Sequence, residues 1–448
     1  MKITFHGGAG IVSGANYLVT TEKGKFLIDC GLFQGSHYAE RLNFDPFPYD
    51  PAEIKAVFIT HAHIDHTGRL PKLVKDGFHG KVFATPPTKD FARELLLDSQ
   101  DILAREASRE NRAELYNAAD VDKLMELWQK VNYHEPTTID GVKVTFKDAG
   151  HILGSSIIIF EAEGKRIVFS GDLGNYAAPI VRDTETVDAA DYCVVESTYG
   201  DRLHESKEEG QSILEDLIED TVKNKGVLMI PAFAMERTQQ LIYEINELIE
   251  DGRVPRVPVF IDSPLAIRLT EIYKKYRGYF DEEANRLLKS KDTILSFPGL
   301  KMTLKTEESK AINDIPPPKV IIAGSGMSQG GRIVHHEKRY LSGENNTILF
   351  VGYQAAGSLG RQILDGAQMI KIMGEEVLVR CKVKNISGYS AHADQRKLIE
   401  WLKPMHRSLK KIFVVQGEEA SSAALAIKIK DQLAVEAVVP RTGDEAVL

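Results

Sequence analysis

The chain has 448 residues, too many for one compact core, so two domains, or one interrupted by another, are expected. Hydrophobic residues make up 43% of it and charged residues 27%, with no long Pro/Ser tract and no visible repeat, which excludes a disordered or fibrous chain. A formal net charge of −8 argues against non-specific coating of nucleic acid while leaving room for a local basic cleft, and Cys30, Cys193 and Cys381 are too few and too scattered for a disulfide framework or a Cys-rich zinc site.

The amino terminus MKITFHGGAG lacks the apolar core of a signal peptide, and the longest apolar runs, such as IIIF, fall far short of a membrane span. A cytoplasmic α/β protein with no membrane partner is expected. KFLIDCG and IKAVFIT read as strands, each ending on candidate ligands. From about Thr88 to Val131 the chain is rich in Leu, Glu, Ala, Arg and Lys and reads as two helices. VKVTFKDAGH, SSIIIFEAEGKRIVFSGDLGN and ADYCVVESTYGDR return to strands, each finishing at a polar cluster. Beyond Leu203 helix and strand alternate, so residues 204–365 read as a doubly wound parallel domain inserted into the first. Residues 366–448 hold two further strand–helix pairs and are expected to rejoin residues 1–203.

The run ITHAHIDHTG places His61, His63, Asp65 and His66 on a tight loop after a strand, a ligand arrangement for two adjacent metals. Imidazole nitrogen and carboxylate oxygen suit zinc, with bonds of about 2.0–2.2 Å. Four ligands cannot saturate two ions, and His151 in DAGHILGS and Asp172 in FSGDLGN stand at similar strand ends, the aspartate able to bridge. Two ions about 3.5–4 Å apart can clamp the attacking and leaving oxygens of a displacement, which suits phosphodiester hydrolysis. An isolated histidine more often caps a turn or packs in a core; this constellation reverses that preference.

In the inserted domain four strands end in a polar or Gly-rich loop that opens a helix, at Arg237, at Ser263, at Ser325 to Arg332 including Met327, and at Gly357 to Arg361. Ligands bind at the carboxyl ends of strands in open α/β sheets, and helix amino termini attract phosphate. Arg237, Arg332 and Arg361 could grip backbone oxygens bidentately, while Gly324, Gly326, Gly330 and Gly331 let a nucleic-acid strand approach closely. The plainer alternative makes these ordinary helix–strand connections with solvated arginines, and packs His335 or His336 on its helix.

On Asp29 in FLIDCG, His61, His63, Asp65, His66, His151 and Asp172, the chain resembles the metallo-β-lactamase superfamily, whose fold is an αββα sandwich. That resemblance implies one zinc on His61, His63, His151 and Asp172, a second on Asp65, His66 and Asp172, and Asp29 supporting them from behind; manganese is an alternative metal. PAFAMERTQ, DSPLA, GSGMSQGGRIVHH, GYQAAGSLGR and SGYSAHAD are similar to the β-CASP branch of nucleic-acid-processing enzymes. Within it the chain is similar, over nearly its whole length, to relatives of the nuclease subunit of the cleavage and polyadenylation specificity factor. Neither a separate amino-terminal RNA-binding module nor the extra carboxy-terminal domain of ribonuclease J is expected.

The resemblance implies a zinc ribonuclease, alone or as a homodimer, that cuts single-stranded RNA internally to leave a 5′-phosphate and a 3′-hydroxyl. Asp65, Glu196 and His392 become its catalytic side chains, with His392 protonating the leaving oxygen and Glu196 orienting it. The structural alternative pairs Glu196 with His392 to hold the two domains together. A DNA nuclease of the same branch and a non-catalytic RNA-binding subunit are rival readings; a small-molecule hydrolase would have no use for the inserted sheet. Gln416 in IFVVQGEEAS departs from the pattern. RNA-cleaving relatives carry a histidine there that completes the second metal's shell, and a neutral carbonyl oxygen is a poorer zinc ligand. Alternatively, Gln416 satisfies backbone groups at a strand end.

Overall fold

The computed structural model describes residues 1–448 apart from 36, 177, 205–206, 290–292, 356 and 387, so Ala356 of GYQAAGSLGR and Ser387 of SGYSAHAD lie outside the described residues. The chain forms two compact units, Met1–Leu203 with His392–Leu448, and His204–Ala391.

The first unit contains two seven-stranded sheets. One runs, in spatial order, Glu445–Val447, Lys2–Gly7, Asn16–Thr21, Gly24–Ile28, Ile54–Phe58, Lys81–Ala84 and Trp128–Lys130. The other runs Ala437–Val438, Lys411–Val415, Tyr192–Glu196, Lys165–Phe169, Ser156–Ala162, Val142–Asp148 and Thr137–Ile139. Side chains alternate across a strand. Phe26, Ile28 and Phe58 of the first sheet therefore meet Phe146, Ile158, Phe160 and Phe169 of the second in one buried layer. Leu27, Val57 and Val82, pointing the other way, are also fully buried, and the helices Pro86–Arg109 and Ala118–Leu127 follow the strand Lys81–Ala84. On the second sheet's outer face, Val168 and Val195 pack with Leu398 and Trp401 of the helix Gln395–Leu402 and Leu425 and Ile429 of Glu419–Leu433. This is the αββα sandwich. The two helices expected between Thr88 and Val131 are present, and the last residues of that stretch instead form the edge strand Trp128–Lys130.

Phe58 is the last strand residue before the histidine loop, and its ring lies 5.5 Å from Phe83 and 6.3 Å from Phe160. It anchors that loop in the core; truncating such a buried ring to alanine costs about 3–5 kcal/mol.

The second unit holds a six-stranded sheet in the order Leu300–Met302, Val259–Ile261, Lys319–Ala323, Val227–Pro231, Thr347–Phe350 and Lys382–Asn385, every pairing parallel. VLMIP, KVIIA and TILF are buried at every position, as strands covered on both faces must be. The unit extends to Ala391, so the return to the sandwich starts at His392 and not at 366. The reason is pairing: Lys382–Asn385 adds to Thr347–Phe350, and Ile370, Ile372 and Val377 of the ribbon Met369–Ile372/Glu375–Leu378 pack into this unit's core.

Candidate metal centre

Every residue of the centre sits at or just beyond a strand end of the sandwich. After Ile54–Phe58 the chain turns through His61 and His63 into one helical turn, Ile64–Thr67, which carries Asp65 and His66. The turn is clamped to the loop after Gly24–Ile28: Cys30 N donates to His66 O at 2.8 Å and Leu32 N to Ile64 O at 2.9 Å. A Cβ on Gly31 would lie 1.5 Å from Asp65 O, so only glycine lets the two loops approach this closely. His151 follows Val142–Asp148 and Asp172 follows Lys165–Phe169; Glu196 ends Tyr192–Glu196, and Gln416 lies one residue past Lys411–Val415. Gly174 forms an isolated bridge with His392, which brings that histidine to the same end of the sandwich.

Four ligand atoms converge. His61 Nε2 lies 3.0 Å from His63 Nδ1 and 3.4 Å from Asp172 Oδ2. His151 Nε2 lies 3.2 Å from His63 Nδ1 and 3.6 Å from Asp172 Oδ2. A tetrahedron with bonds of about 2.0 Å has edges of about 3.3 Å, so three imidazole nitrogens and a carboxylate oxygen are spaced for zinc. Burial, reinforced by neighbouring imidazoles, holds the pKa of His63 and of His151 well below the usual histidine range, so both keep the lone pairs that metal ligation requires. Burial alone would raise the Asp172 carboxyl, but His66, His61 and His392 outweigh it and keep it ionised.

Behind the ligands, Asp29 Oδ1 accepts from Thr60 N at 2.8 Å, and Oδ2 accepts from Thr60 Oγ1 at 2.8 Å and His66 Nδ1 at 2.7 Å. Thr60 Oγ1 also lies 3.0 Å from His61 Nδ1. These bonds set which nitrogen of His61 and His66 faces the centre, the work that outer partners do for metal-ligating histidines. Thr60 escaped the sequence reading although it directly precedes His61; a hydroxyl just ahead of a ligand run was the available signal.

Toward His66 the arrangement is sparser. His66 Nε2 lies 3.3 Å from Asp172 Oδ1 and 3.8 Å from Asp65 Oδ2. Burial works against charge on this ring, but Asp172, Asp29 and Asp65 outweigh it, so this side draws positive charge. Gln416 points inward, its Nε2 2.7 Å from His66 Nε2.

Beside Asp172, Glu196 is fully buried, accepts from Leu173 N at 2.6 Å and lies 3.3 Å from His392 Nδ1. Burial would lower the His392 pKa, but Glu196 and Asp172 more than offset it and raise it to about 9. Both members of the pair lie in the first unit.

Three family models match: the metallo-beta-lactamase superfamily over residues 9–222, the Beta-Casp domain over 238–363, and the Zn-dependent metallo-hydrolase RNA specificity domain over 376–440. Ribonuclease TTHA0252 of Thermus thermophilus is 37% identical across 95% of this chain and 95% of its own. The chain belongs to the β-CASP branch of the metallo-β-lactamase superfamily. An RNase J-like protein of Methanocaldococcus jannaschii is 31% identical over 98% of both chains, and the transcription termination factor FttA of Methanosarcina mazei 32% identical over 97% of this chain and 70% of its own. A solved structure from Enterococcus faecalis V583, described as a protein of unknown function, matches with a TM-score of 0.59 at 12% identity over 100% of this chain and 99% of its own, a likeness of fold alone.

Within the β-CASP unit the expected phosphate-gripping residues bond to their own surroundings. Arg237 is buried, with Nη1 on Gln240 Oε1 and Nη2 3.4 Å from Glu236. Arg332 donates to Asp262 Oδ1, Thr303 O and Leu304 O, each at 2.8 Å. Asp262 also receives His336 Nε2 at 2.8 Å, Ser309 Oγ at 2.6 Å and Thr303 Oγ1 at 2.7 Å, so His336 packs as a bonded core residue. Ser263 Oγ caps the helix Pro264–Lys275 by accepting from Ala266 N. Ser325 Oγ accepts from Gln329 N at 3.1 Å, Met327 is half-buried, and Arg361, on the surface, pairs with Asp365 at 2.9 Å. Among the described residues no helix is long and apolar enough to cross a membrane.

Proposed function

We propose that the protein is a zinc-dependent ribonuclease that cleaves single-stranded RNA internally, leaving a 5′-phosphate and a 3′-hydroxyl. The observation that carries this reading is the juxtaposition of a tetrahedral nitrogen and oxygen set with a protonated histidine: His392 Nδ1 is 3.8 Å from Asp172 Oδ2, itself one of the four ligand atoms. The names of the similar proteins, a ribonuclease and an RNase J-like protein, support RNA as the substrate.

His61, His63, His151 and Asp172 would hold the cation, which would supply Lewis-acid polarisation of a phosphoryl oxygen and a nucleophile at neutral pH. The protein's own residues do the rest. The buried Glu196 carboxylate beside it raises the His392 pKa and so favours the protonated ring, the state required to protonate a departing 3′-oxygen. Glu196, anchored by Leu173 N, fixes that ring and stabilises its charge. Asp65, 25% exposed where Asp172 is 3% exposed, stands where water or a phosphate can reach it. In the β-CASP unit Arg237, Ser263 and Arg332 shape the strand-end loops, while Ser325, Met327 and Arg361 are the proposed RNA contacts.

The test is a circular single-stranded RNA, compared with linear RNA and DNA of the same sequence, each incubated with zinc-loaded protein. Opening of the circle to a product with a 5′-phosphate and a 3′-hydroxyl is the expected result. Degradation restricted to RNAs with free ends would make the enzyme an exonuclease, equal cleavage of DNA would revive the DNA-nuclease reading, and binding without cleavage would make it an RNA-binding subunit.

A further inference from the structure

Gln416 takes a left-handed backbone conformation, with φ of 50°. Its N–H donates to Gly8 O at 2.6 Å and its carbonyl accepts from Thr198 Oγ1 at 3.1 Å. Held this way and 3% exposed, the residue projects its side chain into the gap between His66 and Asp172. The amide nitrogen lies 2.7 Å from His66 Nε2 and 3.2 Å from Asp172 Oδ1, and Oε1 lies 3.4 Å from the Tyr17 hydroxyl.

We propose that this chain binds a single divalent cation tightly, on His61, His63, His151 and Asp172, and that the Gln416 amide takes the place of a second cation between His66 and Asp172. The proposal rests on the reading of the centre as a metal site and is independent of the substrate.

The orientation of the amide follows from its neighbours. An amide nitrogen has no lone pair to coordinate a metal, so only Oε1 could serve as a ligand. With nitrogen inward, one N–H meets Asp172 Oδ1 at 3.2 Å, and the amide fills the space beside His66 Nε2, 2.7 Å away. Oε1 is then left to the buried Tyr17 hydroxyl. Turned round, Oε1 would face the Asp172 carboxylate, acceptor against acceptor.

The count of donors points the same way. On the His61 side four ligand atoms lie within 4.8 Å of one another. The other group of three that comes as close, among the described His, Cys, Asp and Glu side chains, is Asp172, Glu196 and His392, which contains the proton-donating pair. Asp65 and His66 join no such group: their closest atoms are 3.8 Å apart, and the remaining corner belongs to the amide.

The test counts metal. Purified protein is loaded with excess zinc, freed of loosely bound ions by gel filtration and analysed for zinc per chain; a manganese-loaded sample is examined by electron paramagnetic resonance. One ion per chain and the spectrum of an isolated manganese are expected. Two retained ions, or the exchange coupling of an adjacent pair, overturn the proposal while leaving the metal reading intact; no retained ion overturns both. Gln416→His, which replaces the amide donor by an imidazole, is expected to double the retained zinc and to produce the coupled spectrum. A folded Gln416→His protein that still holds one ion would show that the amide does not exclude the second. Because RNA cleavage is not the readout, failure of the substrate assignment leaves each of these outcomes decisive.

Discussion

Thr60→Val removes one oxygen from the centre and almost no volume. The hydroxyl donates to Asp29 Oδ2 at 2.8 Å and lies 3.0 Å from His61 Nδ1 and 3.2 Å from His66 Nδ1. Valine keeps the branched shape and the Thr60 N bond to Asp29 Oδ1, so strand and loop geometry survive. What is lost is the group that keeps the His61 proton on Nδ1 and Nε2 toward the metal. Loss of such an outer partner typically weakens metal binding 10–100-fold, or about 1.4–2.7 kcal/mol. A second cost falls on the metal-free fold, because His61 Nδ1 loses its hydroxyl partner in a fully buried site, at about 1–3 kcal/mol. Zinc affinity is measured by competition with a chromophoric chelator, and stability by thermal melting of the metal-free protein. A lowered melting temperature with zinc affinity unchanged to within about twofold would make Thr60 a packing residue and refute its role in orienting the ligands.

Asp172→Ala removes the carboxylate shared by both sides of the centre, and is expected to lose its zinc on gel filtration while circular dichroism stays native; retained zinc refutes the ligand set. His392→Ala should slow RNA cleavage about 10²–10⁴-fold with RNA affinity unchanged, and an equal loss of affinity would make it a substrate contact. Asp262→Asn should destabilise the protein at pH 7 by about 3 kcal/mol, the low end for a broken buried pair because Arg332 is 20% exposed. Burial alone would raise the Asp262 pKa, but His336, Ser309, Thr303 and Arg332 hold it far below the usual carboxylate range. Its contribution is therefore complete above about pH 4, the unfolded pKa, and fades below it. The gap in melting temperature between wild type and Asp262→Asn should narrow from pH 7 to pH 3; a widening gap refutes the assignment.

The histidine loop was legible as a cluster because His61, His63, Asp65 and His66 are neighbours in sequence as well as in space, and the strand before them carries its own signature in Ala56, Val57 and Phe58. His151 and Asp172 could be picked out because each follows an apolar run with a polar turn. The internal bonding of Arg332 was not legible: its partners Asp262, Thr303 and Leu304 come from another strand end and the segment after Leu300–Met302, and only the folded sheet brings them together. The return point was misplaced because Met369–Ile372, Glu375–Leu378 and Lys382–Asn385 alternate as any edge strands would, and local pattern does not say which sheet a strand joins. Gln416 was visible as a substitution, but the direction of its amide depends on Tyr17, His66 and Asp172, three residues from three other segments of the chain.

The sandwich is discontinuous in sequence: Lys411–Val415 pairs with Tyr192–Glu196, and Glu445–Val447 pairs with Lys2–Gly7, after the whole second unit has intervened. On the ribosome this order has a safety value. The amino-terminal part presents its histidine loop early, but the side chain assigned to proton donation, His392, and the residue that fills the gap beside His66, Gln416, are translated only after the whole second unit. At synthesis rates of about 5–20 residues per second, a growing chain spends many seconds with a half-built hydrolytic centre. On the proposed reading, the group that protonates the leaving oxygen is therefore missing until the second unit has been made.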